Sequence, residues 1–255
     1  SYNRRNALHN TTYQAWRNRD GVDYTSNDPL QPFIDGTVPF DNHNIYKLNL
    51  NARIDFAQNY MSYPDGKFII GNNKYPTLFL GYEKGFGSSV SNYDFDQFKI
   101  SVRQDFNLGN KGAFTYNLRS GTFLNGENIA FPDYQHFNGN QTRVGDGFYS
   151  DKFLNLPYYT FSTNKNYIEG HLEHDFKGWV LGKIPGINQL NFNLVLGAHF
   201  LSTENNKPYT EISAGIDNLG FGKYRFLRLD YVVSNYEGNR NGAFIFGLKF
   251  LRILD

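Results

Sequence analysis

The chain has 255 residues, 25 basic against 24 acidic side chains, a net charge of +1 and no cysteine. These figures exclude a disulfide framework and a thiolate metal centre, and no basic run points to nucleic acid. Mean hydropathy is below zero, and no run approaches the roughly 18 apolar residues of a spanning helix. The longest apolar-looking tail, Phe244 to Leu254, is broken by Gly247, Lys249 and Arg252.

Residues 1–44 are polar and rich in Asn, Asp, Pro and Gly from Arg17 onward, which reads as a long outer loop. One weak strand is expected near Leu8 to Trp16. From Tyr46 the pattern changes. Tyr46, Leu48, Leu50, Ala52, Ile54 and Phe56 alternate with Lys47, Asn49, Asn51, Arg53 and Asp55. That is the period of a strand with one apolar and one polar face. Its eleven residues match the roughly 9–11 that cross a bilayer at a tilt.

The same alternation recurs at Phe98–Phe106, Phe114–Leu118, Ile168–Phe176, Leu190–Phe200, Leu227–Val233 and Phe244–Phe250, and less regularly at Tyr75–Phe86 and Tyr209–Asn218. About nine or ten strands are expected, over residues 45–255. A soluble sandwich also alternates, but its outer face is Lys, Thr and Ser. Here the polar positions carry both signs of charge: Arg53, Asp55, Arg103, Asp105, Arg119, Glu169, His171, Glu173, Asp175, Arg228 and Asp230. The apolar positions are aromatic, and aromatics make up 18% of the chain beside 25 glycines. Charges facing a lumen and aromatics facing lipid define an all-β, antiparallel transmembrane barrel. Tyr46, Tyr75, Tyr82, Tyr93, Tyr158, Tyr159 and Tyr224 suit its aromatic girdles.

Connector lengths give an orientation. Leu108–Gly112 and Asn218–Gly222 are tight and suit periplasmic turns. The long loop at 122–157 then lies outside, with Ser88–Asn92, Thr203–Pro208 and Tyr236–Asn241, and the C-terminus is periplasmic. Nine strands is an odd number, so 45–255 is expected to be the C-terminal part of a larger barrel whose remaining strands come from elsewhere.

Several motifs then stand out together: Tyr75-Pro-Thr-Leu-Phe-Leu-Gly-Tyr-Glu-Lys-Gly85, His136-Phe-Asn-Gly-Asn-Gln-Thr142, Leu156-Pro-Tyr-Tyr-Thr-Phe161, Tyr167-Ile-Glu-Gly-His-Leu-Glu-His-Asp-Phe176 and Lys183-Ile-Pro185. Their order and spacing resemble the C-terminal barrel of a Bacteroidetes family, domain of unknown function 5686, over roughly residues 40 to 250. That resemblance implies a barrel preceded by a carboxypeptidase-regulatory-like domain. The family is distantly similar to the outer-membrane assembly factor superfamily, in which a long loop folds into the lumen and five strands follow it. The Arg-Gly-aromatic loop tip of that superfamily is absent, and His136-Phe137-Asn138-Gly139 is the nearest segment.

No constellation reads as catalytic. Glu169, His171, Glu173 and Asp175, with His199, have cation-binding chemistry, but side chains spaced about 7 Å along a strand read better as a solvated lumen wall. Ser162 with His171 and His174 lacks a Gly-x-Ser-x-Gly elbow. His174 falls on the apolar face and is expected near the membrane interface. The loop segment His136, Phe137, Asn138, Gly139, Asn140 and Gln141 is the candidate functional loop, as a ligand-binding or lumen-locking element or as a plain turn-rich outer loop. The expectation is a non-enzymatic bacterial outer-membrane protein, without cofactor or metal, acting in envelope biogenesis or transport. Its expected partners are outer-membrane lipid, lipopolysaccharide and other proteins, and not nucleic acid. A passive pore or nutrient receptor is the alternative, and a lipid hydrolase a third.

Overall fold

The computed structural model describes residues 1–8, 13–14, 21–22, 28–29, 31, 37–56, 59–70, 74–222 and 224–249. Its strands are β1 Tyr2–Arg5, β2 Tyr13–Gln14, β3 Gly21–Val22, β4 His43–Asp55, β5 Asn59–Tyr63, β6 Gly66–Ile70, β7 Thr77–Phe86, β8 Phe95–Asn107, β9 Ala113–Phe123, β10 Val144–Gly145, β11 Tyr167–Asp175, β12 Asn193–Thr203, β13 Asn206–Phe221, β14 Tyr224–Tyr236 and β15 Asn239–Leu248. Eleven of them form one sheet in the order β1-β4-β7-β8-β9-β11-β12-β13-β14-β15-β10, while β2–β3 and β5–β6 are separate two-stranded pairs. Every pairing is antiparallel except β10 on β15, which is parallel. The chain is all-β, and no helix in the described residues is long and apolar enough to cross a membrane.

All nine alternating segments of the sequence are strands of this sheet. Some bounds differ. Leu190 ends a 3-10 turn, Asn188–Leu190, and β12 begins only at Asn193. Phe250 and the tail beyond it lie outside the described residues, as does most of Leu8–Trp16 apart from β2. The strand at Tyr2–Arg5, which pairs with Tyr46–His43, carries no apolar alternation to announce it.

Two connectors expected to be longer outer loops are two-residue turns. β12 ends at Thr203 and β13 starts at Asn206; β14 ends at Tyr236 and β15 starts at Asn239. Glu237 and Gly238 have φ of 53° and 83°, the two positive values of a type I′ hairpin. Pairing therefore runs through polar residues past the point where alternation fades. The longest connector whose residues are all described is the segment between β9 and β11, residues 124–166.

Burial is inverted relative to a soluble sheet. On one face Glu169, His171, His199, Glu211, Asp217, Arg228 and Asp230 are buried; on the other Leu48, Leu50, Phe98, Ile100, Ile168, Leu196, Phe244 and Phe246 are exposed. Glycines and aromatics are abundant together because they pair across strands. Gly85 sits opposite Phe95, Gly121 opposite Tyr167 and Gly170 opposite Phe200. Each ring lies over its glycine so closely that an added Cβ would meet ring carbon at 2.0–2.6 Å.

The loop 124–166 lies on the polar face of the sheet. Ile129, Phe131, Phe137, Tyr149, Phe153, Leu154, Leu156 and Phe161 are buried there. Each is worth roughly 1.5–3 kcal/mol when removed from water, a gain that an exposed loop would forgo. The loop reaches both edges of the sheet: Asp133 contacts Arg5 on β1, and Arg143 bonds Phe246 on β15. The sheet is curled towards its charged face, because Arg228 on β14 and Glu173 on β11 stand three strand steps apart, about 14 Å laid flat, and their side chains still meet at 2.9 Å. Among the described residues β1 and β15 are not paired with each other.

Candidate functional site: a long loop seated on the charged face

Three groups on β11–β15 hold the C-terminal half of the loop. Glu211 accepts the backbone N–H of Leu154 and of Asn155, each at 2.8 Å, and the Tyr209 hydroxyl at 2.7 Å. Asn155 donates its side-chain amide to Ser234 at 2.9 Å. A carboxylate that takes two adjacent backbone donors fixes the path of the loop there, because each donor would otherwise be buried unpaired.

The second group is built on Arg228. It donates to both oxygens of Asp230 at 2.8 Å and to Glu173 at 2.9 Å. It also donates to the Gly147 carbonyl of the loop at 3.2 Å, and the guanidinium stands 4.7 Å from the centre of the Tyr149 ring. Lys249 pairs with Asp217 and stands 5.5 Å from the Phe148 ring. Gly247 is needed here: a Cβ on it would lie 2.7 Å from Gly147 Cα. That approach lets Val144 and Gly145 pair with Phe246 and Gly247, and the Phe246 N–H donates to Arg143 at 2.9 Å.

The third group is a pair of imidazoles, with His171 Nδ1 2.9 Å from His199 Nδ1 and His171 Nε2 2.7 Å from Glu169. If His171 donates to Glu169 through Nε2, its Nδ1 is the acceptor for the His199 N–H. Arg119 stands 3.5 Å from Glu169. Phe153 of the loop covers the pair, its ring 4.7 Å from His171 and 6.1 Å from His199. His199 Nε2 and the Tyr149 hydroxyl are buried with no partner among the described residues.

The other half of the loop is latched to the opposite edge of the sheet. Asp133, at the end of the 3-10 turn Phe131–Asp133, has a fully buried side chain. Both its oxygens take Arg5, one at 2.8 Å, and Lys47 approaches to 2.5 Å. Lys47 also pairs with Glu83 at 2.7 Å. Gln135 then meets Gln97 at 3.4 Å and the Tyr167 hydroxyl at 3.3 Å. One loop thus grips β1 and β4 at one end and β13–β15 at the other.

The residues singled out from the sequence divide accordingly. Arg119, Glu169, His171, Glu173, Arg228 and Asp230 come together under the loop. Arg53–Asp55 and Arg103–Asp105 form their own exposed pairs at 2.8 and 3.5 Å, clear of it. Asp175 ends β11 and accepts the Lys177 N–H at 2.7 Å. The segment His136–Gln141 is engaged in building the loop. His136 Nδ1 meets the Ser162 hydroxyl at 2.8 Å, Phe137 packs on Tyr167, and the Asn138 carbonyl accepts the Phe153 N–H at 2.8 Å. A Cβ on Gly139 would strike the Leu156 carbonyl, Asn140 caps Thr142, and Gln141 is exposed.

Ser162 is therefore paired with His136 and not with His171 or His174. Those two histidines face opposite sides of β11, as alternation requires. His174 is on the apolar side, stacked on Phe176 at 4.0 Å and bonded to the Lys111 carbonyl beside the β8–β9 turn. Among the described residues no three His, Asp or Glu side chains are arranged to hold a metal ion. Sequence reasoning missed Asp133, Arg5 and Phe153; nothing in their spacing marks them, since each acts across more than a hundred residues or from an irregular loop.

A family model described as Family of unknown function (DUF5686) C-terminal domain matches residues 1–216. The chain belongs to this family. The match takes in β1–β12, the whole loop and most of β13, and so includes Asp133, the imidazole pair and Glu211. A comparison with curated proteins finds no match.

Proposed function

We propose that this chain forms part of the wall of an integral outer-membrane β-barrel whose lumen is closed by the loop 124–166. It acts without enzymatic activity in envelope biogenesis or transport, together with protein partners. The inverted sheet carries this reading: charge is buried on one face and large apolar side chains are exposed on the other. Soluble monomers rarely expose apolar patches beyond a few hundred Å², whereas in a bilayer this face is solvated by acyl chains. Strands of 9–16 residues are long enough to cross.

Among the described residues the outer edges of β4 from Leu48 and of β15 up to Ile245 have no strand beside them. Each backbone group left unpaired in hydrocarbon costs several kcal/mol, so this reading includes further strands at those edges. The orientation puts the loop's chain ends at the outer rim and the C-terminus in the periplasm. The likeness to the outer-membrane assembly factors is supported by a loop folded onto the polar face and followed by β11–β15, five strands. A passive pore or nutrient receptor is the second reading, and the seated loop disfavours the pore. A lipid hydrolase is disfavoured because the buried acid that acts on the Ser162-bound His136, Asp133, is engaged by Arg5 and Lys47.

Two measurements test the proposal. The protein should resist alkaline carbonate extraction from outer membranes; release into the soluble fraction would sink the membrane reading. In planar bilayers the wild type should show little steady conductance, and Glu211→Ala, which frees the Leu154 and Asn155 donors, should raise it. A large steady conductance in the wild type would overturn the closed lumen.

A further inference from the structure

The outward, apolar face is not uniformly convex. A groove of about 1030 Å³ crosses it from β4 to β12, at the upper end of the roughly 300–1,000 Å³ common for ligand pockets. It exists because of one cross-strand row, Ala52–Leu80–Ile100–Ser120–Ile168–Ser202, in which small residues interrupt large ones. Ser120 turns its hydroxyl onto the Tyr167 carbonyl at 2.9 Å, which keeps it out of the groove. Leu50, Leu80, Phe98, Ile100 and Ile168 supply the apolar wall.

Towards the loop end of the strands polar groups flank this wall, and they are bonded to one another. The Tyr82 hydroxyl donates to Asp96 at 2.5 Å and Lys84 pairs with Asp96 at 2.9 Å. Farther along, Thr122 donates to Asn166 at 2.6 Å, Asn166 to Glu204 at 2.8 Å, and Lys165 pairs with Glu204 at 3.3 Å. Both lysines remain more than 40% exposed. The groove therefore has an apolar body and one rim with ammonium and carboxylate groups side by side.

We infer that this groove binds a zwitterionic amino-phospholipid, its acyl chains along Leu80, Ile100 and Ile168 and its head group on the Lys165–Glu204 pair. The inference rests on the membrane reading above. The rim selects the head group by charge: Lys165 answers a phosphate and Glu204 an ammonium. A polyanionic glycolipid would place its surplus negative charge beside Glu204, which disfavours it.

The test is photolabelling of the full chain in phosphatidylcholine vesicles that contain a trace of phosphatidylethanolamine with a photoreactive acyl chain. Adducts should concentrate on Leu80, Ile100 and Ile168, and Ser202→Trp should lower them about fivefold or more. Ser120→Leu is a milder filling of the same row, and Ile212→Trp, on the exposed apolar face outside the groove, should change nothing. Unlabelled phosphatidylethanolamine should compete better than phosphatidylglycerol or lipopolysaccharide. Adducts spread evenly over the apolar face, insensitivity to both filling variants, or stronger competition by the anionic lipids would overturn the site. Vesicle flotation separates the two levels: protein that does not float with the vesicles refutes the membrane reading itself, while inserted protein without localised adducts refutes the groove alone.

Discussion

The polar face carries the same local motif three times, Arg-x-Asp on one strand: Arg53 and Asp55 on β4, Arg103 and Asp105 on β8, Arg228 and Asp230 on β14. In the first two the pair is open to water, with Arg53 64% and Arg103 41% exposed. In the third the side chains are 3% and 0% exposed, and Arg228 also reaches Glu173 and the Gly147 carbonyl. Local sequence is alike, so the difference comes from what lies above it. The loop covers β11–β15 and leaves the far ends of β4 and β8 uncovered. An ion pair in water contributes little, because both ions keep their hydration and salt screens them. The same pair under the loop has lost that hydration, and each ion depends on its partner.

The comparison breaks or holds first on Arg228. Arg228→Ala leaves Asp230 and Glu173 facing each other without a cation and should cost about 3–5 kcal/mol. Arg53→Ala should stay within about 1 kcal/mol. Urea unfolding of vesicle-inserted protein reads both. Equal losses would mean that the loop does not seal the Arg228 site.

The same sheet should also discriminate between its faces. Leu196→Arg places a charge in the middle of the apolar side of β12 and should cost about 2–4 kcal/mol if that side meets lipid. Asn49→Arg, on the uncovered polar side of β4, should be far milder. Comparable penalties at the two positions would contradict the inverted sheet.

The strands were legible because alternation is a local signal, repeated each time the chain crosses. From Tyr46 to Asp55 every residue announces its face. The turns were less legible: Glu204-Asn205 and Glu237-Gly238 sit among polar residues that also continue the ladder, so alternation stops before pairing does. The seat of the loop was not legible. The loop is rich in aromatics, but the partners of Asp133 are Arg5 and Lys47, and the partner of Leu154 is Glu211. Such contacts are set by how the sheet curls, and one sequence carries no periodic trace of that. Nothing in the sequence of His136–Gln141 shows that Phe137, Asn138 and Gly139 shape the loop internally.

The latch at Asp133 should give a smaller effect than the loss of Arg228. Asp133→Asn keeps the shape and a hydrogen-bond acceptor but removes the charge facing Arg5 and Lys47. A cost of about 1–3 kcal/mol is expected in loop docking. Limited proteolysis within 124–166 should speed up while the strands stay protected. Cleavage of the strands at the same rate as the loop would show that Asp133 supports the whole sheet and is no latch.

The smallest effect concerns pH. His136 is half-buried between Phe131 and Tyr159, with ring centres 5.0 and 5.4 Å away. Burial pulls its pKa below the ordinary imidazole value, against the opposing pull of the Phe131 carbonyl and Asp133. A released loop restores the ordinary value, so in the window between the two the released form holds more protons. Docking must then weaken as pH falls through that window and level off below the lowered value. Loop proteolysis should be faster at about pH 5.5 than at about pH 7.5. Other groups on the charged face also titrate, so the decisive quantity is the difference from His136→Gln, whose amide does not titrate. The variant should show a flatter pH dependence than the wild type, and an unchanged slope would remove His136 from the account of how acid loosens the loop.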